Sequence, residues 1–65
     1  MDKQKIAKTL IKLRGGRSRE EVAAALKISV SALSMYETGA RIPRDEIKIA
    51  IANYYSCSVA EIFFS

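Results

Sequence analysis

Residues 27–29 constrain the fold more than any other part of the chain, because they are all that separates two short helical patterns. The first pattern covers Arg19–Leu26 and the second covers Val30–Thr38. A connection of about three residues makes two helices meet at a steep angle and prevents them from lying antiparallel. The sequence therefore predicts two short crossed helices at its centre, which need neighbouring helices to be stable.

Capping residues mark where the predicted helices begin. Ser18 is followed three residues later by Glu21, and Ser58 by Glu61, which is the spacing of a capping box. Ser29 is the predicted cap of the helix over residues 30–38. Apolar periodicity places the other helices over residues 3–14 and 44–55, with a short last helix that ends in residues 62–64. The fold class is therefore all-α, with five helices.

Length, charge and composition limit the functions open to the chain. Its 65 residues suffice for one small domain, residues 1–65, and the net charge of +4 favours a polyanionic partner without proving one. Cys57 is the only cysteine and histidine is absent, so neither an internal disulfide nor a zinc ligand set is expected. The sequence also lacks a secretory signal and an apolar run long enough to cross a membrane. We expect a cytoplasmic protein with no cofactor, no metal and no membrane partner.

The outward side of the helix over residues 30–38 is uncharged. On a helical wheel centred on Leu33, the residues that point away from the core are Ser31, Ser34, Met35 and Thr38. Hydroxyl groups can hydrogen-bond to base edges in the major groove, and a thioether can contact thymine methyl groups. A surface that simply carries few charges is the alternative interpretation of the same face.

Cations around this helix favour the nucleic-acid interpretation. Arg41 and Arg44 follow its outer end, where phosphates would lie, and Arg19 lies at the start of the preceding helix. The helices that open at Ser18 and Ser29 also present N–H groups of the kind that hold phosphates. The sequence therefore predicts base contacts from one helix and phosphate contacts around it.

The stretch SREEVAAALKISVSALSMYETGARIP, residues 18–43, resembles the helix-turn-helix of the Cro and phage-repressor type, also called the xenobiotic-response-element family. The resemblance extends to LR at residues 13–14 and YYSCSVAEIF at residues 54–63. It implies a compact, lambda-repressor-like domain in which helices two and three form the helix-turn-helix. It also implies a sequence-specific regulator of transcription that binds double-stranded DNA at a two-fold operator as a homodimer. We interpret the chain as a repressor of this kind.

The resemblance also implies roles for individual residues. It implies that Arg14 and Glu37 form an ion pair that joins helix one to the end of helix three. Base-contacting residues would be Val30, Ser31, Ser34 and Met35, and backbone-contacting residues would be Arg19, Ser29, Thr38, Arg41 and Arg44. Val30 is the exception on the wheel, since its angle lies near the core side.

Two departures from the family pattern bear on this interpretation. Lys27 stands where the family usually has glycine, so Lys27 must adopt a left-handed conformation or the turn must differ. The base-facing set contains no Gln, Asn or Arg, the residues that make bidentate base contacts. We therefore expect the operator to be read through apolar contact, water and DNA shape.

The C-terminal residues suggest how two copies associate. Tyr54, Ile62, Phe63 and Phe64 are the predicted dimer interface, although one or two of the last three must complete the core. An antitoxin-like or anti-repressor module, which binds a protein through the same fold, fits this apolar end as an alternative. An enzyme is disfavoured, since no plausible catalytic set or small-molecule ligand site is evident in the sequence.

Overall fold

A computed structural model of the chain describes residues 1–64, and over this range it forms five helices and no strand. The helices are α1 (Lys3–Arg14), α2 (Arg19–Leu26), α3 (Val30–Thr38), α4 (Asp45–Tyr54) and α5 (Val59–Phe63). The all-helical, five-helix prediction is confirmed, and the bounds of α1, α2 and α3 are those expected from the sequence. Helix α4 is shorter than predicted by one residue at each end, because Arg44 and Tyr55 are its capping residues.

Side-chain caps begin four of these helices. The Ser58 and Glu61 capping box is complete: the Ser58 hydroxyl accepts a hydrogen bond from the Glu61 N–H, and Glu61 Oε1 accepts one from the Ser58 N–H at 2.8 Å. Hydrogen bonds from the Ser58 backbone N–H and side chain to the Glu61 carboxylate lower the pKa of Glu61, since they favour the charged form. At Ser18 the hydroxyl accepts from the Glu21 N–H at 3.0 Å, which is one half of the predicted box. Asp2 caps the N-terminus of α1, a role that the sequence analysis did not predict.

The core lies where α1 packs on α3, α2 on both α3 and α4, and α5 on both α1 and α4. Its largest fully buried apolar side chains are Leu10, Val22, Leu33, Ile51 and Phe63. Ile62 and Phe63 are only 3% and 2% exposed. This burial corrects the prediction that the two residues lie in a dimer interface, because α5 uses both side chains to close the core of its own chain.

The turn between α2 and α3 is built around Lys27 in the left-handed conformation, with φ 58° and ψ 41°. The Lys27 N–H donates to the Ala24 carbonyl at 3.2 Å, and the Ile28 N–H donates to the Ala23 carbonyl at 3.0 Å. These bonds satisfy carbonyl groups at the end of α2, as in helices that end on glycine. The chain therefore makes the tight turn although a lysine occupies the position that favours glycine.

Gly39 ends α3 at a point where α1 comes close. Its φ is +79°, and a Cβ placed on it would lie 2.5 Å from Nε2 of Gln4. The left-handed backbone conformation therefore favours glycine here, whereas the flexible end of the Gln4 side chain can move aside.

We expect Lys27→Gly to raise the free energy of unfolding by about 0.5–1 kcal/mol, because glycine removes the steric cost of the left-handed conformation. Urea denaturation of the variant and the parent chain measures the difference. Lys27→Ala is the matched control, since alanine keeps the Cβ, and its free energy of unfolding should stay within about 0.5 kcal/mol of the parent. A less stable glycine variant would contradict this account of the turn.

Candidate nucleic-acid interface

Helix α3 divides into a buried side and an accessible side. Leu33, Tyr36 and Glu37 are buried, whereas Val30 is 39% exposed. Ser31 is exposed, and Ser34 and Met35 are partly exposed. The structure therefore brings the four residues predicted to face bases onto one accessible surface, including Val30.

The hydroxyl groups along this surface differ in what they already bind. The Ser29 hydroxyl accepts a hydrogen bond from the Ala32 N–H at 3.0 Å, and the Thr38 hydroxyl donates to the Met35 carbonyl at 3.3 Å. Within residues 1–64, the hydroxyls of Ser31 and Ser34 hydrogen-bond to no other group of the chain. Ser31 and Ser34 therefore keep their full capacity to bind an external donor or acceptor.

The segment after α3 is fixed to that helix through its backbone. The N–H groups of Ala40 and Arg41 donate to the Met35 carbonyl at 3.0 and 3.3 Å, and Pro43 is buried. Arg41 and Arg44 are exposed, and in the described part of the chain neither forms an ion pair. Two exposed cations without an ion pair in the described chain therefore lie in the segment that follows α3.

A cleft of about 360 Å³ lies between α3 and this segment. It is lined by Ile28, Ala32, Tyr36, Arg41, Ile42, Arg44 and Ile47. The predicted phosphate contacts Arg41 and Arg44 therefore lie around one depression of the surface, next to α3.

The buried carboxylate of Glu37 joins three helices. Glu37 Oε2 lies 2.8 Å from Nε of Arg14 at the end of α1, so the predicted ion pair is present. Glu37 Oε1 lies 3.1 Å from Nε of Arg19 at the start of α2. The side chain of Glu37 is 1% exposed, against 15% for Arg14 and 45% for Arg19. The hydrogen bond with Glu37 raises the pKa of the Arg14 guanidinium, and burial opposes part of that rise.

The sequence did not predict the ion pair between Arg19 and Glu37, since it assigned Arg19 only as a contact to the DNA backbone. No local spacing relates the two residues, since one begins α2 and the other lies in the last turn of α3. Only the crossing of these helices brings them together. The available signal was an inward-facing acid in the last turn of α3 together with arginines at the adjoining ends of α1 and α2, which could have indicated that Glu37 binds both.

Two tyrosine rings lie close to Arg17, in the loop between α1 and α2. Cζ of Arg17 lies 5.6 Å from the ring centroid of Tyr54 and 5.8 Å from that of Tyr55, within the range of a cation–π contact. Burial raises the pKa of Tyr55, and the negative charge of Glu37 adds to the shift. Tyr54, a predicted dimer residue, is thus partly buried and in contact with Arg17.

A second surface lies at the C-terminal end, where Ile49 is 54% and Phe64 63% exposed. These residues and Val59 form what we call the C-terminal apolar patch, which lines a cleft of about 400 Å³ together with Asp45 and Lys48. Nζ of Lys48 lies 5.7 Å from the ring centroid of Phe64 and 3.4 Å from Asp45 Oδ1. Of the predicted interface residues Ile62, Phe63 and Phe64, only Phe64, which follows α5, is therefore exposed to a partner.

Among residues 1–64, no group of three or more His, Cys, Asp or Glu side chains is arranged to hold a metal ion. No helix over the same residues has both the length and the apolar character required to cross a membrane.

Comparison with known proteins identifies one family. The family model described as Helix-turn-helix matches residues 8–62, which is more than half of the chain and includes all of α2, α3 and α4. Neither the curated proteins nor the solved structures gave a significant match.

We expect Arg14→Ala to lower the free energy of unfolding by about 2–3 kcal/mol, because it leaves the buried Glu37 with one of its two cationic partners. In a domain of this size the loss lowers the thermal midpoint by roughly 10–20 °C, measurable by circular dichroism. Arg41→Ala removes an exposed arginine without an ion pair and should stay within about 0.5 kcal/mol of the parent. Equal effects of the two substitutions would contradict the structural role of Glu37.

Proposed function

The chain belongs to the helix-turn-helix family of DNA-binding regulators of the Cro and phage-repressor type, and from this membership we propose that it is a repressor that occupies a two-fold operator as a homodimer. The observation that carries the proposal is the accessible side of α3. It is uncharged, its central hydroxyls bind no other group of the described chain, and two arginines without an ion pair over residues 1–64 lie in the segment that follows the helix.

In this proposal α3 enters the major groove of double-stranded DNA. Ser31 and Ser34 hydrogen-bond to base edges, and Val30 and Met35 contact apolar base surfaces such as thymine methyl groups. None of the four makes a bidentate hydrogen-bonded contact with a base. We therefore expect much of the discrimination between operators to come from apolar contact, bridging water and DNA shape.

Phosphate contacts supply most of the affinity and set the position of α3. Arg41 and Arg44 bind the backbone beyond the end of α3, and Arg19 and the N-terminus of α3 at Ser29 bind it on the opposite side. Thr38 adds a hydroxyl contact. Support comes from the exposure of all five residues and from the absence of any ion pair at Arg41 and Arg44 over residues 1–64.

The proposed homodimer forms through the C-terminal apolar patch, with Phe64 as its main contact and Tyr54 as a further predicted contact. Its support is the exposed apolar area at Ile49 and Phe64. A two-fold dimer presents two copies of α3 to half-sites about 34 Å apart. An unrelated protein on this patch instead of a second copy would favour the antitoxin-like or anti-repressor alternative.

Repression follows from occupancy of the operator. In this proposal, residues 1–65 act as one DNA-binding unit, with no catalytic activity and no cofactor or small-molecule ligand. Its concentration, its dimerisation or a partner protein then regulates it. We propose that it acts in the cytoplasm as a regulator of a bacterium, a phage or another mobile element.

Selection of bound sites from a pool of random double-stranded DNA tests this function directly, with the stoichiometry of the complex measured by sedimentation. The proposal predicts an enriched site with two-fold symmetry, bound by two chains. Enrichment of no site, together with weak binding that is equal for all duplexes, would contradict sequence-specific regulation.

We expect the double substitution Ser34→Ala and Met35→Ala to change which sites are enriched, because both residues face bases in the proposal. Arg44→Ala is the matched control: it removes a phosphate contact, so it should weaken binding to all duplexes about equally and reduce the salt dependence. Repeating the selection with each variant measures the difference. An unchanged preference in the first variant, or a new preference in the second, would contradict the assignment of roles.

We expect Phe64→Asp to shift the protein from dimer to monomer, because a carboxylate replaces the main apolar contact of the proposed interface. Ile11→Asp is the control, since Ile11 is a comparably exposed apolar residue, at 46%, on α1 and outside the patch. Sedimentation velocity distinguishes the two states. Equal sedimentation of Phe64→Asp and the parent chain, or loss of the dimer in Ile11→Asp, would place the interface elsewhere.

A further inference from the structure

We propose that Glu37 positions Arg19 as a phosphate clamp, so that the carboxylate that joins α1 to α3 also fixes a contact between α2 and the DNA backbone. This inference rests on the proposed function and adds a positioning role to a residue that does not itself reach the duplex. It makes the placement of α3 and the backbone contact at α2 depend on one side chain.

Three arginines lie along the connection from the end of α1 to the start of α2, and they differ in what they bind. Arg14 donates from Nε to Glu37 and from Nη1 to the Arg17 carbonyl at 2.8 Å. Arg17 donates from Nη1 to the Leu13 carbonyl at 3.2 Å and lies against two tyrosine rings. Arg19 donates to Glu37 from Nε alone, and its side chain is 45% exposed. Each guanidinium keeps some of its five N–H donors, but of the two that bind Glu37 Arg19 is the more exposed, at 45% against 15% for Arg14, and is therefore the one open to an external anion.

The shape of the guanidinium allows Arg19 to bind two anions at once. Its five N–H donors lie in one plane and point in different directions. The Nε donor stays on Glu37 Oε1 while the Nη donors bind a phosphate oxygen. The carboxylate thereby orients the fork before DNA arrives, which reduces the rotamer entropy lost on binding.

The charge balance of the cluster favours the same role. Two guanidinium groups share one carboxylate, so the Arg14, Arg19 and Glu37 cluster retains a positive charge. The first turn of α2 also carries Glu20 and Glu21, whose charges oppose the approach of a phosphate to the helix N-terminus. Arg19 is the cation of that turn, so a backbone contact at this end of α2 depends on it.

A double-mutant cycle on DNA binding tests the inference, with Arg19→Ala, Glu37→Gln and their combination. The probe is the duplex enriched from the random pool, or a mixed-sequence duplex at low salt if no site is enriched. Arg19→Ala should weaken binding about tenfold and lower the magnitude of the salt slope by about 0.9, the share of one phosphate contact. Glu37→Gln should weaken binding about fivefold in the parent chain and leave it nearly unchanged in Arg19→Ala. Thermal denaturation establishes the temperature at which every variant is folded.

The inference would be overturned if the affinity losses of the two single variants multiplied in the double variant, or if Arg19→Ala left the salt slope unchanged. The proposed function would remain in place in either case. Failure of the parent chain to bind any duplex would instead overturn the proposed function and the inference together.

Arg19→Lys keeps the test decisive if Glu37→Gln does not fold. A lysine retains the charge, but its single ammonium lacks the planar fork that spans a carboxylate and a phosphate. We expect Arg19→Lys to show the same salt slope as the parent chain and to bind the duplex about threefold to fivefold more weakly. Binding equal to that of the parent would show that charge alone suffices, and would contradict positioning by Glu37.

Discussion

The carboxylate of Glu37 is the interaction on which the arrangement of the first three helices depends. At 1% exposure, its charge is tolerated because Arg14 and Arg19 each donate to one of its oxygens. Arg14 ends α1, Arg19 begins α2 and Glu37 lies in the last turn of α3. One buried acid therefore links the ends of three helices, next to the apolar core on which they pack.

This arrangement leaves the other side of α3 accessible to solvent. With Leu33 in the core and Glu37 in the ion cluster, Ser31 and Ser34 remain on the accessible side without a partner in the described chain. The Met35 carbonyl holds the following segment through two backbone hydrogen bonds. In the proposed function, the base-reading surface and the arginines that follow it are thus positioned by the same helix, as readout of a duplex requires.

The sequence predicts most of the fold because its signals are local. Apolar periodicity and capping residues predict the bounds of α1, α2 and α3, and the Ser58 and Glu61 box predicts the start of α5. Contacts between distant residues are harder to predict. The second partner of Glu37 and the burial of Phe63 both depend on how helices cross, which no spacing in the sequence records. Lys27 shows the remaining limit, since hydrogen bonds of the turn outweigh its preference against a left-handed conformation.

A nuclear magnetic resonance titration tests most directly whether this side of α3 binds DNA. Backbone amide signals are followed while a duplex, first of mixed sequence and then selected from a random pool, is added at low ionic strength. The account predicts the largest shifts over α3, at Arg19 and across residues 41–44, and small shifts over α1. Shifts concentrated on α1 or on the C-terminal apolar patch, with the amides of α3 unperturbed by either duplex, would contradict it.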